Sequence, residues 1–323
     1  MARGDHRERA AGLGTYDGAV NEPPSDLTLT RDEPLSRHTY LRVGGPAQFF
    51  ATPADLEALT RLIEWARGAG LPIRVLGGGS NVLVSDRGVR GVVIRPRLTA
   101  ISASDAHHVQ AGAGVTINGL VRWTIARGLA ALEAWAGTPG TVGGAIHGNA
   151  HFQGRLIGEL VTTVRLLSPS GEIADVPSSQ LELGYDRSRL SRTREIVVSA
   201  DFSVTPGEPA ALRRVARESL AFRKRTQPLQ RPSAGCIFQN PSAGDPVPAG
   251  IPRSAGALVD RAGLKGATVG GATVSPVHAN FIVNDGHASA SDIRALVYRC
   301  RSEVAARFGV TLREEIVYLG DFV

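Results

Sequence analysis

Cysteine is nearly absent from this chain, which carries only Cys236 and Cys300. Two thiols make neither a disulfide scaffold nor a zinc cluster. Lysine is scarcer than the charge suggests. Only Lys224 and Lys265 are lysines among 36 basic residues, and the rest are arginines. They are dispersed among acids, with no basic run beyond Arg223-Lys224-Arg225, and aromatics are only 5% of the chain. A net charge of +6 spread this way describes a solvated surface, not the stripe and stacking platform of a nucleic-acid binder. No run of about 18 apolar residues occurs, so no transmembrane helix is expected. The first residues lack the apolar core of a signal peptide. A cytoplasmic protein without membrane insertion is expected, with residues 1–28 as a flexible tail.

What is abundant is glycine, at 38 of 323 residues, about 12% against a typical ~7%. The excess is too aperiodic for collagen. It points to backbone that approaches a ligand closely or adopts positive φ. With 42% apolar residues the chain can build a core, and at about 150 residues per domain its length suggests two domains, or three small ones.

Local patterns place the elements. Thr52 and Pro53 read as the N-cap and first turn of a helix that Gly68 stops. Strands are expected at Ile73-Arg74-Val75-Leu76 and Val92-Val93-Ile94, and a helix from Ile117 to Ala126. From Leu160 to Val204 the pattern is strand-rich. Helices are expected from Pro209 to Phe222 and from about Ser291 to Phe308, the latter ended by Gly309. A long ordered loop spans Pro228 to Pro252, and a last strand lies at Ile316-Val317-Tyr318. The reading is α+β, with a boundary near Pro206-Gly207.

Two glycine clusters stand out. Gly77-Gly78-Gly79-Ser80-Asn81-Val82-Leu83-Val84-Ser85-Asp86-Arg87-Gly88 follows a strand, and its bare amides can converge on an anion. It is not a dinucleotide fingerprint, because no helix follows at once, nor a P-loop, because no Lys-Ser/Thr follows. Gly137-Thr138-Pro139-Gly140-Thr141-Val142-Gly143-Gly144-Ala145, with Asn149 beyond it, is the second. Together they suit one extended phosphate-bearing ligand such as a dinucleotide.

These strings, with Leu41-Arg42-Val43-Gly44-Gly45-Pro46-Ala47, Ser233-Ala234-Gly235-Cys236-Ile237-Phe238-Gln239-Asn240-Pro241, Ala262-Gly263-Leu264-Lys265-Gly266 and His278-Ala279-Asn280-Phe281, resemble the bacterial UDP-N-acetylenolpyruvoylglucosamine reductases. The likeness runs over about residues 34–320, in the form lacking an extra substrate loop. It implies an α+β chain with an FAD-binding domain of the vanillyl-alcohol-oxidase type in two subdomains, about 29–97 and 98–206. A smaller α+β substrate domain, 207–323, follows. It implies FAD and NADPH as cofactors, a UDP-sugar substrate, no metal and a monomer. The flavin contacts it implies are Gly77, Gly78, Gly79, Ser80, Asn81, Val82, Gly137, Thr138, Pro139, Gly140, Thr141, Gly143, Gly144, Asn149 and Ile196. The substrate contacts are Tyr185, Ser188, Arg225, Gln239, Asn240, Lys265, His278 and Asn280.

The implied reaction delivers hydride next to a carboxylate, so the site needs donors aimed at developing negative charge and an acid for the adjacent carbon. The resemblance assigns the acid to Cys236, where related chains usually have Ser, and an orienting carboxylate to Glu315. Glu314 is expected to face solvent and Cys300 to lie in the core. The catalytic arginine is where this chain departs. Related chains read Tyr-Arg-x-Ser, and this one reads Tyr185-Asp186-Arg187-Ser188. Either Arg187 reaches in through a local shift, or the role is lost and the chain is a flavin-binding relative with altered or lost activity. Two further cations are missing, replaced by Gln239 and Val277. Arg225, Arg253 and Lys265 are the candidates to compensate.

Overall fold

The structure is a computed structural model, and it describes residues 27–322. Most of the expected N-terminal tail lies outside the described residues. Four hydrophobic cores organise three lobes.

In the first lobe the sheet runs Leu29–Pro34, Pro46–Ala51, Val89–Ile94, Ile73–Val75. The first pair is antiparallel and the rest parallel. Side chains alternate across a strand, so Phe49, Val92 and Ile94 face one core while Phe50 and Val93 face another. The helix Leu56–Gly68 covers the first face with Leu59, Leu62, Ile63 and Ala66. It starts later than Thr52-Pro53 suggests. Asp55 is the N-cap, accepting from the Ala58 amide at 2.8 Å. The Pro53 carbonyl is instead held by the Arg97 amide at 2.8 Å.

The second lobe is an antiparallel sheet in the order Ile173–Pro177, Val161–Leu167, Ile196–Ser203, His108–Gly112, Ile101–Ala103. The helices Ile117–Ala126 and Val142–His147 close its core around Trp135 and Phe202. The helix Pro209–Thr226 follows the expected boundary at 206, yet its Leu212 is buried in this same core. Ser219 donates to the Ala134 carbonyl at 2.7 Å. That helix therefore packs on the second lobe, and its last turn overhangs the second glycine loop.

The third lobe holds the strands Thr268–Val269, Ala272–Val274 and Ile282–Asn284 under the helices Ala255–Arg261 and Ala290–Phe308. Ser289 and Asp292 form a capping box on the long helix, and Gly309 ends it at φ 68°. Cys300 is buried in this core, as expected. The last strand, Val317–Leu319, then leaves its lobe and pairs in parallel with Val82–Val84, directly after the first glycine loop. This return of the C-terminus positions the site. No helix among the described residues is long and apolar enough to cross a membrane.

Candidate active site

The two glycine loops touch. A Cβ on Gly78 would stand 2.7 Å from Gly140 Cα, and one on Gly77 would stand 2.9 Å from Thr141 Oγ1. Gly79 has φ 69°, and a Cβ there would collide with the His38 carbonyl oxygen. Only glycine permits this approach. Thr141 caps the turn that follows, accepting from the Gly144 amide at 3.4 Å. Pro139 and Gly143 lie in the same loop and the turn after it. Ile196 opens its strand beside Leu167, and its side chain is buried.

The first loop is also tied to the C-terminal segment. Asn81 Nδ2 donates to the Glu315 carbonyl at 3.1 Å, and the Val317 amide donates to the Asn81 carbonyl at 3.0 Å. The segment around Glu315 runs antiparallel to the loop carrying Cys236. The Glu315 amide donates to the Ile237 carbonyl at 2.8 Å, and the Gln239 amide to the Arg313 carbonyl at 2.9 Å. Cys236 and Glu315, 79 positions apart in sequence, are thereby set side by side.

Asn280 locks the Cys236 loop. Its Nδ2 donates to the Phe238 carbonyl at 2.7 Å, and its Oδ1 accepts from the Phe238 amide at 2.9 Å. Both amide ends are thus used within the protein, as are those of Asn149, which hold the Gly184 carbonyl and the Gly158 amide. Replacing Asn280 with Ala will leave two buried backbone groups unsatisfied and cost roughly 2–4 kcal/mol. A urea melt will show this as a lower midpoint at unchanged slope; an unaltered midpoint contradicts it.

The sequence Tyr185-Asp186-Arg187 forms the tip of a tight turn, closed by reciprocal Gly184–Arg187 backbone hydrogen bonds of 3.0 and 3.2 Å. Asp186 sits at φ 51°, a left-handed position that Asp tolerates. The turn sends Asp186 inward and Arg187 outward. Arg187 is exposed and folds back over Gly184, so it does not take the place left by the missing arginine. The Ser188 hydroxyl is buried, donating to the His147 carbonyl at 2.6 Å.

Asp186 meets a residue that the sequence motifs did not single out. His151 Nδ1 lies 2.8 Å from Asp186 Oδ1, and the Tyr185 ring packs on the imidazole at 4.6 Å between centroids. Ligating atoms of His151, Asp186 and Glu315 all lie within 4.8 Å of one another. With its hydrogen on Nδ1, His151 donates a hydrogen bond to the Asp186 carboxylate, so the group is a hydrogen-bonded acid–base cluster. Asp186 Oδ2 is buried without a partner.

A second unforeseen residue is Arg223. It is buried, stacks on Phe152 at 3.6 Å, and donates from Nη2 to Thr138 Oγ1 at 2.7 Å. Its Nε has no protein partner, although it lies beside the second glycine loop. Arg223 belongs to the short basic run read as surface charge, and the sequence offers no sign that its first member turns inward. Burial lowers its guanidinium to about 10, and its charge is felt at both Cys236 and His151.

Burial and the charges of Glu315 and Asp186 push the Cys236 thiol up to about 12. Burial, reinforced by Asp186, raises Glu315 to about 8. The hydrogen bond to Asp186 raises the His151 imidazole. Burial raises the Tyr185 phenol to about 12, and the Asn240 amide donates to its oxygen. Perturbed groups gathered in one place mark a functional site.

The other nominated side chains make their contacts outside this cluster. Arg225 is exposed beside Phe222, and Lys265 pairs with Asp260 at 2.7 Å. Arg253 donates to the Asp245 carbonyl at 2.9 Å. His278 accepts from the Asn280 amide at 3.2 Å, while Val277 is exposed. Asn240 Oδ1 accepts from the Ala255 amide at 3.1 Å. Glu314 is half-buried against Arg301 at 2.7 Å, where open solvent was expected. The segment's strand-like alternation turns it away from Glu315 and onto the long helix.

Comparison with known proteins agrees with the geometry. A family model described as the FAD binding domain matches residues 47–177, and one described as the UDP-N-acetylenolpyruvoylglucosamine reductase C-terminal domain matches residues 227–319. The UDP-N-acetylenolpyruvoylglucosamine reductase of Heliobacterium modesticaldum is 41% identical over 292 residues, 90% of each chain. That of Synechococcus sp. strain WH7803 is 40% identical over 314 residues, 95% of this chain and 98% of the relative. The solved structure of the reductase from Thermus caldophilus superposes with a TM-score of 0.75 at 33% identity, covering 91% of this chain and 98% of that one. The fold, the paired glycine loops and the Cys236–Glu315 site thus sit in a chain that belongs to the UDP-N-acetylenolpyruvoylglucosamine reductases.

Proposed function

We propose that this chain reduces UDP-N-acetylglucosamine enolpyruvate to UDP-N-acetylmuramate with FAD and NADPH, in peptidoglycan precursor synthesis. The observation that carries this is the Asn81–Glu315 link, which joins the flavin loop to the acid pair. The residues present fit FAD. Two glycine-rich loops converge, and the buried Arg223 Nε beside them lacks a partner, as a polar group completed by a ligand would. Gly77 to Asn81 and Gly137 to Gly144 would hold the cofactor's phosphates and ring. FAD, reduced by NADPH, supplies a hydride to the enolpyruvyl double bond.

The protein's part is to accommodate the charge that then develops on the substrate carboxylate. Glu315, raised to about 8, carries its proton at neutral pH. It therefore donates a hydrogen bond to that carboxylate where an ionised glutamate would repel it. Arg223 supplies fixed positive charge from a buried position, where it acts with little screening. The Cys236 thiol holds its proton up to about 12 and is a poor nucleophile in this state, but it is a sufficient acid toward an enolate carbon, a far stronger base. Tyr185, Asn240 and His278 line the approach for the UDP-sugar. The chain acts as a cytoplasmic monomer in this reading. Asp186 alone would favour a relative with lost activity, but His151 Nδ1 holds it at 2.8 Å, and protonation of that imidazole, which the contact favours, offsets its charge.

Purified protein should be yellow. Under anaerobic conditions NADPH should bleach it, and the enolpyruvyl substrate should restore the oxidised spectrum within milliseconds to seconds. Reduced enzyme that substrate fails to reoxidise overturns the reading.

A further inference from the structure

We propose that His151, held by Asp186, binds the carboxylate of the enolpyruvyl substrate in the place where related chains have an arginine on the Tyr-Arg-x-Ser turn. This rests on the reductase reading above.

The geometry makes the case. The turn that carries Tyr185 and Asp186 brings a carboxylate into the one region where the reaction needs positive charge. An unbalanced Asp186 there would repel both the substrate carboxylate and the enolate. His151 Nδ1 lies 2.8 Å from it, a contact that favours the protonated imidazole and so offsets that charge. His151 comes from a different stretch of chain, the short strand His151–Phe152, immediately after the second glycine loop and Asn149. Its position is fixed from both sides. Gln153 (φ 50°) and Gly154 (φ 78°) fold that strand into a hairpin, and the Tyr185 ring packs on the imidazole. Asp186 therefore serves as the orienting and charge-stabilising partner, and the imidazolium is the cation.

A doubly protonated imidazole needs two acceptors. Asp186 provides one. Nε2 has no protein partner among the described residues, so its N–H is free for a ligand. The acceptor is a carboxylate because of what surrounds it. Glu315 lies within 4.8 Å of the pair, and Arg223 projects its charge onto the same ring. When His151 is protonated its charge offsets that of Asp186, Glu315 keeps its proton, and the charge of Arg223 is left for one substrate carboxylate to neutralise. The titratable and charged groups around the ring are Asp186, Tyr185, Glu315, Arg223 and Cys236. Deprotonating His151, like deprotonating Glu315, makes the cluster more negative. Carboxylate affinity must then fall as pH rises.

The test is calorimetric titration of FAD-loaded, oxidised protein with two ligands. One is the enolpyruvyl substrate, and the other is UDP-N-acetylglucosamine, the same nucleotide sugar without the carboxylate. His151→Gln should weaken the first by about 10- to 100-fold, the scale of a lost charge-assisted hydrogen bond, and leave the second unchanged. Asp186→Asn should do the same more weakly. In the parent protein, histidine NMR should show the His151 imidazole raised further by the enolpyruvyl ligand and not by the control. This readout needs no variant to fold. Equal affinity of parent and His151→Gln for the enolpyruvyl ligand, or an imidazole indifferent to it, overturns the inference. If the parent turns over substrate and His151→Gln matches it in affinity, this inference alone fails. If the parent binds neither ligand, the reductase reading fails and this inference falls with it.

Discussion

Cys236→Ala will slow reoxidation of the NADPH-reduced protein by the enolpyruvyl substrate about 1000-fold, the middle of the range for removing a positioned general acid. Reduction by NADPH will stay within about threefold of the parent, because that step needs no proton on substrate carbon. The fold should survive the change. Cys236 packs at the edge of a loop whose backbone is held independently, by Asn280 on Phe238 and by Glu315 on Ile237. Cys236→Ser keeps a proton donor at the same atom and should recover most of the rate. Anaerobic stopped-flow separates the two half-reactions. Reoxidation of Cys236→Ala at the parent rate would remove the thiol from the mechanism and move the proton-donor role to Glu315 or another protonated group of the cluster.

The second large effect concerns the cofactor. Gly78→Ala will lower FAD affinity by roughly 10- to 100-fold, since an overpacked contact typically costs about 1–3 kcal/mol. The cause is specific. Gly78 does not need positive φ, so no backbone strain enters, but its Cβ would stand 2.7 Å from Gly140 Cα. The three nearest atoms are all Gly140 main chain and cannot rotate away. The two glycine loops must separate, and Arg223 on Thr138 moves with the second of them. Purified Gly78→Ala should be pale, and added FAD should restore colour only at higher concentration. Full flavin occupancy after dialysis would show that the loops need not touch to hold it.

Much of this was legible in the sequence because the signals are local. Ile117–Ala126 matches its expected span residue for residue, since Thr116 caps it and an apolar stripe runs through it. Gly309 ends the last helix because a left-handed residue was needed there. The glycine loops announced themselves by composition, and Cys236 and Glu315 by their place in ordered motifs. Helix starts were less legible. Thr52-Pro53 has good cap chemistry, but Asp55 won because the chain must first finish its strand pairing. A new helix starts after the expected boundary near 206, but the sequence could not reveal that its Leu212 joins the core of the preceding lobe.

The charges were the least legible feature, for a physical reason. Whether an arginine is solvated or buried depends on what lies opposite, and that is not local. Arg187 was nominated and faces outward, while Arg223 was passed over and lies inside. The glycine excess, the dispersed basicity and the family motifs are properties of the sequence by itself, and they determined the fold class, the cofactor and the reaction. The pairing of His151 with Asp186, the return of Val317–Leu319 to Val82–Val84, and the meeting of Glu315 with Cys236 exist only once three lobes have packed. Tertiary structure alone decided where the positive charge sits, because long-range contacts choose which face of a turn or helix is buried.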